Sequence, residues 1–254
     1  MLKEYAGDIV HLNKKVLPYI IDTINKIDTN DKSIIPLISN KKPTISTYIP
    51  TINALFYQST LEQTIRQAAL YSDEIIVVNS EHSTDGTTNL LVKLRNEYPN
   101  IIKIYMFKDN YTNLQQDLAD RRIFSLKQCT SDYCILQDDD ECIHEKDAEL
   151  IKQLPINYPD ALAFRFNTIH FYRSYDHYQN KSGWYQKKIY MVKNIPEITH
   201  GAVGNDPDNH IYIKNGKSQP LDENTKTINT NITVYHYGWV RNDAILLMKK
   251  YIIG

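Results

Sequence analysis

The sequence predicts an α/β fold: a mostly parallel central sheet with helices on both faces, followed by a mixed-strand C-terminal part. Two observations carry this expectation. Between Thr44 and Leu136, short apolar runs alternate with stretches of helical periodicity, the pattern of βαβ units. One of those runs, EIIVVNS (Glu74 to Ser80), is nearly continuous in its apolar residues, as befits a strand covered on both faces.

The elements follow in order. Residues 3–28 place Val10, Leu17, Ile20, Ile21, Ile24 and Ile27 on one helical face, and DTNDKSIIPLISNKKP reads as a linker. Residues 1–40 are therefore expected to be a helical extension and linker without chemistry of its own, and 41–254 the main domain. TISTYIP is the first strand. STLEQTIRQAALY is a helix with Ser59 and Glu62 at capping-box spacing and Leu61, Ile65, Ala68 and Ala69 inward. EIIVVNS, the helix TTNLLVKLRNEY, the strand IIKIYMF, a helix over about 115–129 and the strand YCILQ complete the alternation. After residue 150, ALAFRFNTIHF, KKIYMVK and TVYHYGW read as strands separated by long polar loops, with a closing helix over about 241–252.

Composition narrows the class. The 254 residues are 42% hydrophobic and 23% charged, with net charge −1 and no basic stripe, so nucleic-acid binding lacks its electrostatic footprint. No apolar run approaches the length of a membrane span, and MLKEYAGDIVHLNKKV lacks a signal-peptide core. Cys129, Cys134 and Cys142 include no CxxC pair and fit reduced thiols. A soluble cytoplasmic protein is expected, in the host cytoplasm if the source is viral; the 19 tyrosines and abundant Ile, Asn and Lys suit an A+T-rich coding genome.

The chemistry concentrates in YCILQDDDECI, where Asp138, Asp139, Asp140 and Glu141 stand directly behind a strand. In open α/β sheets ligands bind at the carboxyl ends of strands. In extended chain Asp138 and Asp140 point the same way, and two carboxylates about 5 Å apart repel by roughly 3 kcal/mol at an effective dielectric near 20. A divalent cation at that strand end would relieve the repulsion, and oxygen ligands suit Mg²⁺ or Mn²⁺. A solvated acidic turn entering the helix KDAELIKQL accounts for the same residues.

The surroundings decide between these readings. EIIVVNSEHSTDGTT (Glu74 to Thr88) and RRIFSLKQCTSDYCILQDDDE (Arg121 to Glu141) together resemble glycosyltransferase family 2, whose members have the GT-A fold. Ser83-Thr84-Asp85-Gly86-Thr87, Arg122, Asp132-Tyr133, Asp138-x-Asp140-Glu141 and the segment VYHYGWVRND carry the likeness over residues 44–250. It implies a GT-A glycosyltransferase domain that moves a sugar from a nucleotide-diphosphate donor, a UDP-sugar foremost, to a hydroxyl of a glycan or other acceptor with inversion. By the same likeness, Thr47, Tyr48 and Ile49 line the base, Asn79 or Glu81 contacts it, and Arg122 meets the nucleotide or its phosphates, with Arg121 beside it. Asp138 or Asp139 holds ribose or donor-sugar hydroxyls, and Asp140 and His236 hold Mn²⁺ or Mg²⁺. Thr84 or Thr87 would cap the helix after the Asp85-Gly86 turn.

On the acceptor side THGAVGNDPDNH offers Asp206, and after it Asp208, as general base. Tyr172, Tyr175, Tyr178, Trp184 and Tyr185 form an aromatic group suited to stacking on sugar rings, though core packing or an oligomer contact accounts for them as well. The competing classes are a metal-dependent phosphoester hydrolase or nucleotidyltransferase, and a sugar-nucleotide-binding module without turnover. A sugar nucleotidyltransferase would want a Gly-rich first loop, which ISTYIPTINALF lacks.

Overall fold

The computed structural model describes residues 42–110, 114–179, 184–201, 210–222 and 225–253, which apart from Lys42 belong to one unit, Pro43–Gly254. The extension and linker expected at 1–40 lie outside the described residues.

The alternating half is as expected. β1 (Ile45–Thr51), α1 (Leu61–Ala68), β2 (Glu74–Ser80), α2 (Thr87–Glu97), β3 (Ile102–Phe107), α3 (Leu114–Lys127) and β4 (Tyr133–Leu136) follow in order. β1 pairs in parallel with β2 and β4, and β2 with β3. Then come β5 (Glu141–Ile143), α4 (Ala148–Asn157), β6 (Ala163–Tyr172), β7 (Lys187–Lys193), β8 (Ile198–His200), β9 (His210–Lys214), β10 (Lys217–Pro220), β11 (Thr227–Trp239) and α5 (Asp243–Ile253). The main sheet runs β3-β2-β1-β4-β7-β6-β11-β5, and β10-β9-β8 form a small second sheet. β7 is antiparallel to both β4 and β6, and β5 is antiparallel to β11. The short strands β5, β8, β9 and β10 give no separate signal in the sequence.

Helices cover both faces of the main sheet. On β2, Ile75 and Val77 enter one apolar cluster and Ile76 and Val78 the other, as a two-residue period requires. The first cluster takes Leu61 and Ile65 from α1, Leu91 and Leu94 from α2, and Ile151 and Leu154 from α4. The second takes Leu126 from α3 and Ile198 from β8. Each fully buried Ile or Leu stabilises the fold by about 1.5–3 kcal/mol.

The topology positions the acidic run. β4 is fourth in the sheet and β5 eighth, yet only Gln137–Asp140 separate them. Five chain steps reach at most about 18 Å, whereas four strand spacings of a flat sheet need about 19 Å, and this segment also turns. The sheet must therefore curl until its β5 edge approaches β4, and the acids lie where the curl closes.

Two local expectations fail. Ser59 and Glu62 form no capping box: the N-cap of α1 is Thr60 without a side-chain cap bond, and Glu62 is drawn instead to Arg66 one turn on, at 2.8 Å. Neither Thr84 nor Thr87 caps α2. Its N-cap is Gly86 with φ 93°, a left-handed conformation that glycine adopts without strain.

Candidate active site

The acidic run is a turn, not an extended segment. The Glu141 amide donates to the Asp138 carbonyl at 3.0 Å, and the Asp138 amide donates to Glu141 Oε2 at 3.0 Å. Asp138 and Asp140 consequently do not share the common direction expected of an extended chain, because the passage from β4 to β5 has to bend. Each acid has its own partners, and the nearest cations are the chain's own.

Asp138 is gripped by one residue of the parallel half and one of β7. Arg122 of α3 directs one guanidinium nitrogen at both carboxylate oxygens, 2.9 and 2.8 Å away, and Lys188 Nζ of β7 stands 3.6 Å off. Burial works to raise the Asp138 pKa, but Arg122 and then Lys188 outweigh it and hold the group well below the usual carboxylate range. Arg121, the alternative nucleotide partner, is committed elsewhere: it pairs with buried Asp109, which also accepts from Ser80 Oγ.

Asp139 accepts from Thr51 Oγ1 at 2.5 Å, and burial, followed by the Asp140 charge, pushes its pKa up to about 6. Glu141 is fully buried. Its Oε1 accepts from Tyr190 Oη at 2.9 Å, and burial lifts its pKa to about 7 against the opposing pull of Lys188. Tyr190 is the extra residue of a bulge, since Phe164 pairs with Met191 and Arg165 with Ile189. The bulge lets Tyr190 and Met191 enter the same apolar cluster.

Asp140 is held from the C-terminal half. Arg241 Nη2, between β11 and α5, lies 2.6 Å from Oδ2, and His236 Nε2 of β11 lies 3.5 Å from Oδ1. The His236 ring is oriented by a chain of hydrogen bonds. His170 Nε2 must donate to the Tyr185 carbonyl, 2.8 Å away, since a carbonyl only accepts. Burial lowers the His170 pKa and keeps that ring neutral, so its Nδ1 accepts from His236 Nδ1–H at 2.7 Å. In a neutral His236 the Nε2 lone pair then faces Asp140.

The Asp85-Gly86 turn is stitched to the loop after β1. Asp85 Oδ2 accepts from the Phe56 amide at 2.6 Å, Asn53 Oδ1 from the Thr84 amide at 2.8 Å, and Ser83 Oγ from the Asn53 amide at 3.0 Å. The motif thus joins the ends of β1 and β2.

Several predicted contact residues lie elsewhere. Thr47, Tyr48 and Ile49 are fully buried, because they lie inside β1 and not at its carboxyl end, Thr51. Thr47 bonds Ser72, and Tyr48 Oη lies 2.5 Å from His200 Nε2 and 2.6 Å from His210 Nε2. Asn79 is likewise enclosed, donating to Thr88 Oγ1 at 3.0 Å and accepting from Ser83 Oγ at 2.7 Å, whereas Glu81 is exposed. Asp206 and Asp208 lie outside the described residues. Among the aromatics, Tyr172, Tyr175, Tyr178 and Tyr185 are exposed, and Tyr175 packs on Tyr237, which stacks on Phe171.

The structure therefore brings together Asp138, Asp139, Asp140, Arg122 and His236. It adds Lys188, Tyr190, His170, Thr51 and Arg241, which sequence reasoning missed. Arg241 and His236 share the quoted segment VYHYGWVRND, and Lys188 is a charged residue inside an apolar strand, so both carried a usable signal. His170 carried none, because its partner is 66 residues away.

No curated protein matches the chain. Among solved structures, S. aureus TarS 1–349 is 18% identical, with 56% of this chain and 38% of that one covered at a TM-score of 0.40. S. aureus TarS is 14% identical, covering 76% and 36% at 0.46. The mannosyltransferase PcManGT from Pyrobaculum calidifontis, solved with GDP-Man and Mn²⁺, is 19% identical, covering 49% and 35% at 0.39. This chain thus spans little more than a third of each of these structures. The model of Glycosyl transferase family 2 matches residues 46–216. That match takes in more than half of the chain, from β1 past the stitched Asp85-Gly86 turn, Arg122 and the acidic turn, and the chain belongs to glycosyl transferase family 2.

Proposed function

We propose that residues 41–254 form the catalytic domain of a metal-dependent glycosyltransferase that passes a sugar from a UDP-sugar to an acceptor hydroxyl with inversion. One observation carries this reading. The hydrogen-bond chain Tyr185–His170–His236 aims an imidazole lone pair at an Asp140 oxygen 3.5 Å away, and two such donors repel unless a cation or a proton lies between them.

The donor set fits a divalent ion. Among the described residues no group of three or more His, Cys, Asp or Glu side chains gathers to hold a metal, but Mg²⁺ and Mn²⁺ in such enzymes take few protein ligands and complete their shell with substrate phosphates and water. Asp140 and His236 would hold it, and its charge would offset that developing on the leaving diphosphate. Around them Arg241 and Arg122 keep the Asp140 and Asp138 carboxylates oriented. Asp138 and Asp139 serve the ribose or donor-sugar hydroxyls, Arg122 adds a guanidinium for phosphate, and exposed Glu81 is the remaining base contact. Asp206, then Asp208, takes the acceptor proton. The acceptor oxygen forms its bond to the anomeric carbon as the bond to the diphosphate breaks on the opposite face, which inverts the configuration. The exposed tyrosines beside β6 and β11 offer sugar-stacking faces to a glycan acceptor.

The two-metal hydrolase reading is disfavoured by the engagement of Asp138 with Arg122 and Lys188, which withdraws that carboxylate from a shared metal cluster. No helix among the described residues is long and apolar enough to cross a membrane, and the three free cysteines are buried; both suit the cytoplasm we assign. The test is incubation with Mn²⁺ and a panel of nucleotide sugars, scoring free nucleoside diphosphate and the anomeric configuration of the product by NMR. Tight UDP binding without release would support a module without turnover, and release of phosphate from simple esters would support a hydrolase.

A further inference from the structure

A cavity of about 650 Å³ opens between the main sheet and the small sheet, within the range of small-ligand sites. Its walls include Arg165 of β6, Lys187 and Lys188 of β7, His210 of β9, Ser218 of β10 and Asn229 of β11, and among the described residues no carboxylate. Lys188 is also the wall shared with the acidic turn, since its Nζ reaches Asp138 at 3.6 Å and Glu141 at 3.9 Å.

The charges in this cavity are unevenly compensated. Lys188 is answered by those two carboxylates. Arg165 spends one nitrogen on the Leu221 carbonyl, 2.7 Å away, and among the described residues neither Arg165 nor Lys187 has an ion-pair partner. His210 is 2% exposed. Its Nε2 meets Tyr48 Oη at 2.6 Å, while its Nδ1 has only the Ile189 backbone beside it and no well-formed hydrogen bond. A poorly satisfied buried imidazole nitrogen beside half-buried Arg165 and exposed Lys187 leaves donors and positive charge that a ligand with acceptors would answer.

We propose that this cavity binds an oxyanion, a phosphate or a carboxylate, carried by the acceptor. The word acceptor rests on the glycosyl-transfer reading; the oxyanion site rests on the cavity alone. The donor diphosphate belongs on the other side of Lys188, toward Asp140 and Arg241, so the anion held here is a separate one. Arg165 offers the planar fork that suits either oxyanion, Lys187 adds a point charge at the mouth, and Ser218 and Asn229 add neutral hydrogen-bonding groups for the sugar or polyol that bears it.

The experiment titrates the full chain calorimetrically with glucose 6-phosphate, glucuronate and glucose, with and without saturating UDP and Mn²⁺. The double variant Arg165→Gln/Lys187→Gln and the single variant Lys187→Gln, which alters an exposed side chain, are compared with the wild type. The expected result is binding of glucose 6-phosphate or glucuronate in preference to glucose, weakened by added salt and undisturbed by UDP. Preference between the two anions identifies the oxyanion. The double variant should bind it at least about tenfold more weakly, the value of one charge-assisted contact, and the single variant to a smaller degree, with UDP affinity unchanged in both. Equal binding of glucose, undiminished anion binding in both variants, or displacement of the anion by UDP would each overturn the proposal. Loss of UDP binding in the wild type with the anion response intact would instead remove the nucleotide reading and leave the oxyanion site standing.

Discussion

The parallel half of the sheet and the strands from β5 onward meet at the acidic turn and hold it in different ways. Arg122 of the parallel half, with Lys188 of β7 beside it, each with a side chain only 3% exposed, closes on Asp138 and drives it to full ionisation. From the C-terminal side, Arg241 takes one oxygen of Asp140 while His236 faces the other at a longer 3.5 Å. Two acids two residues apart are thus set up for different work. Asp138 is fixed, with both oxygens spoken for by cations of the fold. Asp140 keeps one oxygen beside a nitrogen donor whose orientation is enforced from His170. A run that looks like one feature in the sequence is two sites in space.

This contrast can be broken at either end. The largest effect should come from Asp140→Ala, which is expected to lower Mn²⁺-dependent release of nucleoside diphosphate by at least about a thousandfold, a loss on the scale of a principal electrostatic contact, with the circular dichroism spectrum retained. Wild-type turnover would place the metal elsewhere. Next, Arg122→Leu strands Asp138 with Lys188 alone and should cost about 3 kcal/mol in urea unfolding, within the range for a buried pair that loses one member. Arg241→Leu should cost less, about 2 kcal/mol, because His236 can take up a proton to answer Asp140. A larger loss for Arg241→Leu than for Arg122→Leu would reverse the assignment of which acid is structurally pinned.

The last effect is one of pH. The folded pKa of Glu141, about 7, lies above its ordinary 4.5, so the folded chain binds this proton more tightly than the unfolded chain does. The stability this confers is complete below about pH 4.5 and is lost as pH rises through about 7. Glu141→Gln removes the titration, so between those pH values its unfolding free energy should fall by roughly 3 kcal/mol less than that of the wild type. Parallel curves for the two proteins would show that burial does not control the group.

The parallel half was readable because its signals are local. EIIVVNS is β2 residue for residue, TTNLLVKLRNEY differs from α2 only at its end, and the strand-end acids are adjacent in the chain. The errors there are of one kind: a side chain was given the wrong neighbour. Tyr48 was set at the mouth of the site by the family likeness, and its hydroxyl instead meets two histidines more than 150 residues away. In the C-terminal half the signal is mostly non-local. β5 is three residues long and pairs with β11, and no periodicity can be read from three residues.

By itself the sequence determined the α/β alternation, the family, and the four consecutive acids behind a buried strand, because periodicity, turn chemistry and motif spacing are properties of neighbouring residues. The tertiary structure decided which acid meets which cation, which tautomer His236 presents to Asp140, and that Arg165 and Lys187, without ion-pair partners among the described residues, line a cavity. Those outcomes depend on where the curled sheet brings β4, β7 and β11 together, and pairing between residues 16 to 101 positions apart leaves no trace in local pattern.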